Sequence, residues 1–239
     1  MKKKLWRIPF AVLTLAAIAV LLYTGNGYRA AEEGIKALES DEVTVEQTDF
    51  GWLFDGPSAD TLLIFYPGAN VEETAYAPLL HRLAGSGMDV CLVKMPFRLA
   101  LLGADRADRV LSGCDYEKVY IGGHSLGGVM AVYYAAAHEL QGVILLASYP
   151  TKTVEEPMLL IYGTEDGVLN RERVEEAPRY GAVEEVVLEG GNHADFGNYG
   201  PQAGDGAPGI SAEEQQEKTA AAVEAWVSQT ASAPQDRFA

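Results

Sequence analysis

Basic side chains and cysteine are what this sequence has least of. Its 239 residues hold 18 Lys and Arg against 34 Asp and Glu, for a formal net charge of −16. Four of the 18 (Lys2, Lys3, Lys4 and Arg7) precede the first apolar run, leaving 14 basic against 34 acidic side chains in everything that follows. So acidic a surface repels nucleic-acid phosphate and anionic lipid headgroups, and neither is an expected ligand. Cys91 and Cys114 are the two cysteines. They have no CxxC spacing, so no thiolate metal site and no dithiol redox motif is expected. Cys91 lies in the apolar stretch Val90-Cys91-Leu92-Val93 and reads as a buried thiol, while a Cys91–Cys114 disulfide would require an extracellular compartment. No internal repeat is visible, and no cofactor is implied.

Long hydrophobic runs are also missing, with one exception. Residues 8–23 carry no charge, and Pro9 and Thr14 alone interrupt the aliphatic pattern. Such a run is near the lower limit for crossing a hydrocarbon core of about 30 Å. Basic residues before it and none just after it predict an N-terminus inside and the domain outside. A cleaved signal peptide is the competing reading, but with Ala30 at −1 the −3 position would be Tyr28, a poor fit to the small residues required. No cysteine stands nearby to carry a lipid. The expectation is a single-pass anchor over residues 1–28, with a secreted domain if the segment is cleaved. A helix-prone link over 29–42 follows, then one catalytic domain over 43–230 and a loose polar tail over 231–239.

Within the domain, β-rich and helical stretches alternate. Strands are expected at 43–48, 51–54, 61–66, 89–94, 118–121, 142–147, 158–162 and 184–188, the first two as a hairpin. Helices are expected at 73–84, 105–111, 126–137, 171–177 and 212–227. The continuous run Thr61-Leu62-Leu63-Ile64-Phe65-Tyr66 suits a strand buried on both faces. Alternation of this kind implies an α/β fold, with a mostly parallel sheet and helices on both sides.

Gly123-x-Ser125-x-Gly127 stands between the strand at 118–121 and the Ala-rich helix at 126–137. A nucleophile on a sharp strand-to-helix turn takes a strained backbone, and glycines two positions to either side remove collisions with the adjoining strand and helix. The turn also sets Ser125 at a helix N-terminus, where free N–H groups favour an oxyanion. Serine needs a base, and the base needs an orienting group. Of the four histidines, His81 lies among leucines in a helix, His138 closes the helix after the turn, and His124 precedes the nucleophile. His193 alone sits on a loop beyond the carboxyl end of a strand, the edge where parallel sheets bind ligands. The loop after 158–162 offers Glu165 and Asp166, and Asp166 fits the turn better. Asp195 is too close in sequence to His193.

Tyr66-Pro67-Gly68-Ala69, Gly123-His124-Ser125-Leu126-Gly127-Gly128, Gly163-Thr164-Glu165-Asp166 and Gly190-Gly191-Asn192-His193 together resemble the α/β-hydrolase superfamily. More narrowly, they are similar to its compact bacterial dienelactone-hydrolase-like branch, alpha/beta hydrolase fold-5. The likeness spans roughly residues 43–227. Dienelactone hydrolases proper use cysteine at the turn, so with Ser125 here that narrower activity does not carry over. The resemblance implies a catalytic triad of Ser125, Asp166 and His193. It also implies an oxyanion hole from the backbone N–H of Leu126 and of a residue after Tyr66, Ala69 first and Asn70 in reserve. Residues 148–157 are too few for the helical cap of many relatives, so a minimal cap and an open site are expected. The apolar loop at 95–102 and the Gly-rich stretch 197–209 could wall that site. For the loop, core packing, an acyl-binding wall and a membrane-facing lip are all open. The expected activity is carboxylesterase-type cleavage of a small-molecule ester. An acyltransferase with the same triad and a non-catalytic binding domain are the alternatives.

Overall fold

The computed structural model describes residues 23–39, 43–57, 60–113, 115–177 and 181–231. The expected anchor helix falls almost wholly outside them, as do Cys114 and the tail past Ala231. No helix among the described residues is long and apolar enough to cross a membrane.

Eight strands form one sheet: β1 (Thr44–Gln47), β2 (Gly51–Asp55), β3 (Thr61–Tyr66), β4 (Asp89–Val93), β5 (Lys118–His124), β6 (Gly142–Leu146), β7 (Met158–Gly163) and β8 (Val183–Leu188). Their spatial order is β1-β2-β4-β3-β5-β6-β7-β8. The β1–β2 and β2–β4 pairs are antiparallel, and every pair from β4 to β8 is parallel. All residues of β3, β4, β6 and β7 are buried, which is why these strands read as unbroken apolar runs. At the edge, β8 alternates only weakly and leaves Glu184, Glu185 and Val187 in solvent.

The described residues include six α-helices: α1 (Glu32–Lys36), α2 (Ala77–Gly85), α3 (Ala107–Leu111), α4 (Leu126–Ala135), α5 (Arg171–Glu175) and α6 (Ala212–Ala231). On one face, Leu79, Leu80 and Leu83 of α2 and Val223 and Trp226 of α6 pack with Leu63, Phe65, Val90 and Tyr120. On the other, Val110 of α3 and Met130, Ala131 and Tyr134 of α4 pack with Leu62, Ile64, Cys91 and Ile121. The period-2 split of β3 between these clusters is what a pleated strand imposes. The single helix expected over 73–84 is divided into a 3₁₀ turn, Glu73–Tyr76, and α2. Pro78 lacks an N–H, so it is accommodated in the first turn of α2, where that donor is not needed.

Residues 23–38 are fastened to the domain. Tyr28 bridges Val71 in parallel fashion, and the Ala31 N–H donates to the Asn198 carbonyl at 2.7 Å. The short connection from β6 to β7 contains no helix, so nothing between those strands roofs the carboxyl edge of the sheet.

Candidate active site

Between β5 and α4 the backbone of Ser125 has φ 53 and ψ −121, a left-handed conformation that costs a non-glycine residue about 1–3 kcal/mol. The surroundings hold it there. Its N–H donates to the Leu146 carbonyl at 2.9 Å, and its carbonyl accepts from Ser148 Oγ at 2.8 Å. The start of α4 lies directly on the end of β3. A Cβ on Gly127 would stand 2.2 Å from the Tyr66 oxygen and 2.5 Å from the Pro67 oxygen, and one on Gly123 would meet Gly127 and Gly128 backbone atoms at 2.6 and 2.7 Å. The glycines of the motif are therefore a packing requirement of the turn.

Beyond β3, Pro67-Gly68-Ala69-Asn70 runs beside this helix start. The Asn70 N–H is taken by the Arg98 carbonyl at 2.8 Å and the Gly68 N–H by the Tyr76 hydroxyl at 3.0 Å. Among the described residues, the N–H groups of Ala69 and Leu126 have no partner. Asn70, the reserve donor, is thus already engaged, whereas the Ala69 and Leu126 amides are not.

The carboxyl ends of β7 and β8 bring Asp166 and His193 together. His193 Nδ1 lies 3.1 and 3.0 Å from the two carboxylate oxygens, and both side chains are buried. An ionised carboxylate only accepts, so Nδ1 donates to it, and in the neutral ring Nε2 is then the nitrogen that holds the lone pair. His193 Nε2 is buried and, among the described residues, has no hydrogen-bond partner. Asp166 is itself oriented, its Oδ1 accepting from the N–H groups of Val168 and Leu169 at 2.9 and 2.8 Å. Glu165 is exposed and contributes its main chain, donating to the Gly191 carbonyl. The half-buried Asp195 does not join the pair, and burial, with Asp205 as a second cause, raises its carboxyl above the usual range. No hydrogen bond joins Ser125 to His193.

A serine on a strained turn, an acid and a histidine, in that chain order on one edge of this sheet, coincide with a sequence match: the alpha/beta hydrolase family model covers residues 62–217. The chain belongs to the alpha/beta hydrolase family. No curated protein matches the sequence significantly. Many solved structures share the fold, three of which illustrate the range. The dienelactone hydrolase from Anabaena variabilis is 16% identical, with a TM-score of 0.57 over 79% of this chain and 98% of its own. A membrane phospholipase A described as a bacterial virulence factor is 15% identical, with a TM-score of 0.59 over 98% of this chain and 100% of its own. The esterase domain of a Rhodothermus marinus protein is 14% identical, with a TM-score of 0.55 over 78% of this chain and 97% of its own.

Three features of this candidate site were not foreseen in the sequence. Asp205 is one: its carboxylate accepts from the N–H groups of Gly167 (3.1 Å), His193 (3.1 Å), Ala194 (2.8 Å) and Gly206 (2.8 Å). It clasps the acid loop to the histidine loop. Gln215 of α6 is another, accepting from the Asn192 N–H and donating to the Asn192 carbonyl at 2.9 Å each.

The third is His124, buried beside Ser125 with its ring centroid 4.6 Å from that of His193. Its Nε2 lies 3.0 Å from the His193 carbonyl, which can only accept, so Nε2 donates. Nδ1 must then accept from the Tyr76 hydroxyl at 2.8 Å, which leaves the Tyr76 oxygen to accept from Gly68. Burial first, and His193 second, hold the His124 imidazole well below its usual value, so it is the neutral form that fills this role. One chain of hydrogen bonds thus links the loop before Ala69, the residue before Ser125 and the backbone of His193. Among the described residues no group of three or more His, Cys, Asp or Glu is placed to hold a metal ion.

Proposed function

We propose that the protein is a serine hydrolase that cleaves carboxylic esters through an acyl-enzyme on Ser125. The observation that carries this reading is the buried His193, with Nδ1 held by Asp166 and Nε2 unpartnered, on the same sheet edge as a strained serine turn. That the family is a hydrolase family supports it. So do the names of the structural neighbours, which include a dienelactone hydrolase, an esterase domain and a phospholipase A.

In the first half-reaction Ser125 Oγ attacks the ester carbonyl carbon while His193 Nε2 takes its proton. Asp166 stabilises the imidazolium that forms, and the Ala69 and Leu126 amides receive the oxyanion. The ester C–O bond then breaks and the alcohol leaves with the proton from His193. In the second half-reaction a water is deprotonated by the same nitrogen, attacks the acyl carbon and releases the acid, restoring Ser125. The absence of a helix between β6 and β7 favours water access. We further propose that residues 8–23 hold the domain on the outer face of a membrane.

Hydrolysis of p-nitrophenyl esters of graded chain length, by the full-length protein and its Ser125→Ala variant, tests the chemistry. Turnover should fall by about a thousandfold or more in the variant, and labelling by a fluorophosphonate should vanish. Labelling that survives would place the nucleophile elsewhere. Product analysis with added alcohol separates hydrolysis from acyl transfer. Retention in membranes through alkaline extraction tests the anchor.

A further inference from the structure

The loop between β4 and α3 is tied down at some residues and open at others. Met95 and Ala100 are buried, so core packing accounts for them. It does not account for Phe97, Leu101 and Leu102, which are 57%, 60% and 56% exposed within six residues of one another. Phe97 and Arg98 also have φ 52 and 57, a consecutive left-handed pair without glycine. Such strain persists where neighbouring contacts over-determine it. Here the Arg98 carbonyl accepts from the Asn70 N–H, the Arg98 guanidinium meets Glu72 at 3.8 Å, and Arg106 donates to the Lys94 carbonyl at 2.7 Å. The apolar side chains are therefore presented on a braced loop.

The loop stands at the rim of the candidate site. It follows the carboxyl end of β4, next to β3, and it is bonded to Asn70, one residue past the proposed oxyanion donor Ala69. Its second turn, Ala100–Leu102, packs against α4, the helix that Ser125 begins.

The same Asn70 receives the incoming chain. Its Nδ2 donates to the Tyr23 carbonyl at 2.8 Å, and its carbonyl accepts from the Tyr28 N–H at 2.9 Å. A Cβ on Gly27 would be 2.6 Å from Arg98 and 2.7 Å from the Asn70 side chain. Tyr23 is the last residue of the uncharged run 8–23. That run thus ends on the oxyanion loop, beside the exposed apolar loop, with no free linker in between. If it lies in a bilayer, the catalytic edge of the sheet is the part of the domain held at the bilayer surface.

We propose that Phe97, Leu101 and Leu102 form a lip seated in the headgroup region of the membrane that carries residues 8–23, and that the Ser125 site takes its acyl ester from the bilayer. The proposal deepens the serine-hydrolase reading by naming a substrate class, esters of membrane-resident acyl chains, and for that class it rests on the reading. The net −20 of the chain after Arg7 opposes anionic headgroups, so contact must come from apolar insertion into a neutral or zwitterionic surface.

The test uses the full chain in phosphatidylcholine vesicles. Tryptophan is placed at the lip by Phe97→Trp in a Trp6→Phe background, with the Trp6→Phe protein as the blank. Brominated phosphatidylcholine should quench the added fluorescence by at least half. An added signal that brominated lipid does not quench overturns the lip, whether a second copy or solvent surrounds it. In a second measurement, a Phe97→Ser, Leu101→Ser, Leu102→Ser variant is compared with the parent on vesicle-embedded 4-methylumbelliferyl oleate and on water-soluble p-nitrophenyl acetate. Loss of tenfold or more on the first, with less than twofold change on the second, is the expected result. Equal loss on both, or on neither, refutes delivery from the bilayer. If the parent hydrolyses neither ester, the serine-hydrolase reading fails while quenching still decides the lip.

Discussion

Ser125 and His193 stand on neighbouring loops but are held by different means. Around Ser125 the backbone is fixed by close main-chain approach: the Leu146 carbonyl on its N–H, and the Tyr66 and Pro67 oxygens against Gly127. Around His193 the fixing groups are side chains distant in sequence. Asp166 is 27 residues away, Asp205 reaches the backbone from 12, and Gln215 of α6 binds the preceding residue from 23. The Ser125 turn is therefore part of the folded core and should fail with it. The histidine loop is a polar assembly docked on that core, and it should fail by losing alignment first.

The strongest way to break the Ser125 side is Gly127→Ala. The new methyl group would lie against carbonyl oxygens of a buried strand end, which cannot yield as a flexible side chain would. Overpacking of this kind costs about 3 kcal/mol or more, or roughly 10 °C in Tm for a chain of this size. Thermal unfolding followed by circular dichroism checks it. A Tm within a few degrees of the parent would show that the turn has slack.

On the histidine side the matching change is Asp205→Ala. It strips four N–H groups of their acceptor, two of them at His193 and Ala194. Because Gly167 is exposed and Gly206 partly so, water can reach some of these donors, and the expected stability loss is smaller, about 2 kcal/mol. The expected fall in kcat is larger, tenfold or more, with fluorophosphonate labelling slowed in parallel. Asp205→Asn keeps one acceptor oxygen and should recover part of the rate. If both variants lose stability but keep kcat, the clasp has no bearing on the position of His193.

The same contrast explains what could be read from the sequence. Strands, helices and the turn at Ser125 follow from periodicity and from glycines at fixed offsets, which are local signals. The order of Ser125, Asp166 and His193 was legible because each follows a recognisable strand. Asp205 was not, since one carboxylate among 34 carries no local mark when its partners are backbone amides of three separate segments. Gln215, Gln216 and Thr219 left a faint one: polar residues on the face of α6 that turns inward, where all three are buried. His124 was set aside because a residue beside the nucleophile directs its side chain away from it. It does, and that direction leads to His193.

Tyr76→Phe probes the link between the two sides. It removes the donor to His124 and the acceptor for Gly68 together, leaving two buried groups unpaired at a cost of about 1–2 kcal/mol. If the chain of hydrogen bonds serves only the fold, kcat at a permissive temperature is unchanged. If it sets Ala69 and His193 relative to Ser125, kcat falls several-fold while KM for a soluble ester barely moves.

The smallest expected effect is a dependence on pH. In the folded protein burial keeps His124 neutral well below the ordinary imidazole value of 6.5, whereas the unfolded chain takes up a proton near it. Below that value the unfolded state binds the extra proton, so stability falls as pH drops from about 6.5 toward the folded-state value, with a slope of at most about 1.4 kcal/mol per pH unit. Above 6.5 this group contributes no pH dependence. Asp195 works in the opposite direction at lower pH, because its raised carboxyl keeps a proton in the folded state that the unfolded chain has already released. Urea unfolding from pH 7.5 to 5 separates the two, since His124→Gln supplies an amide that cannot titrate. Its stability should be lower than the parent's at pH 7.5, and the gap should narrow on acidification. A gap constant across that range would mean that His124 takes up its proton as readily folded as unfolded, and the tautomer assigned to the hydrogen-bond chain would fall with it.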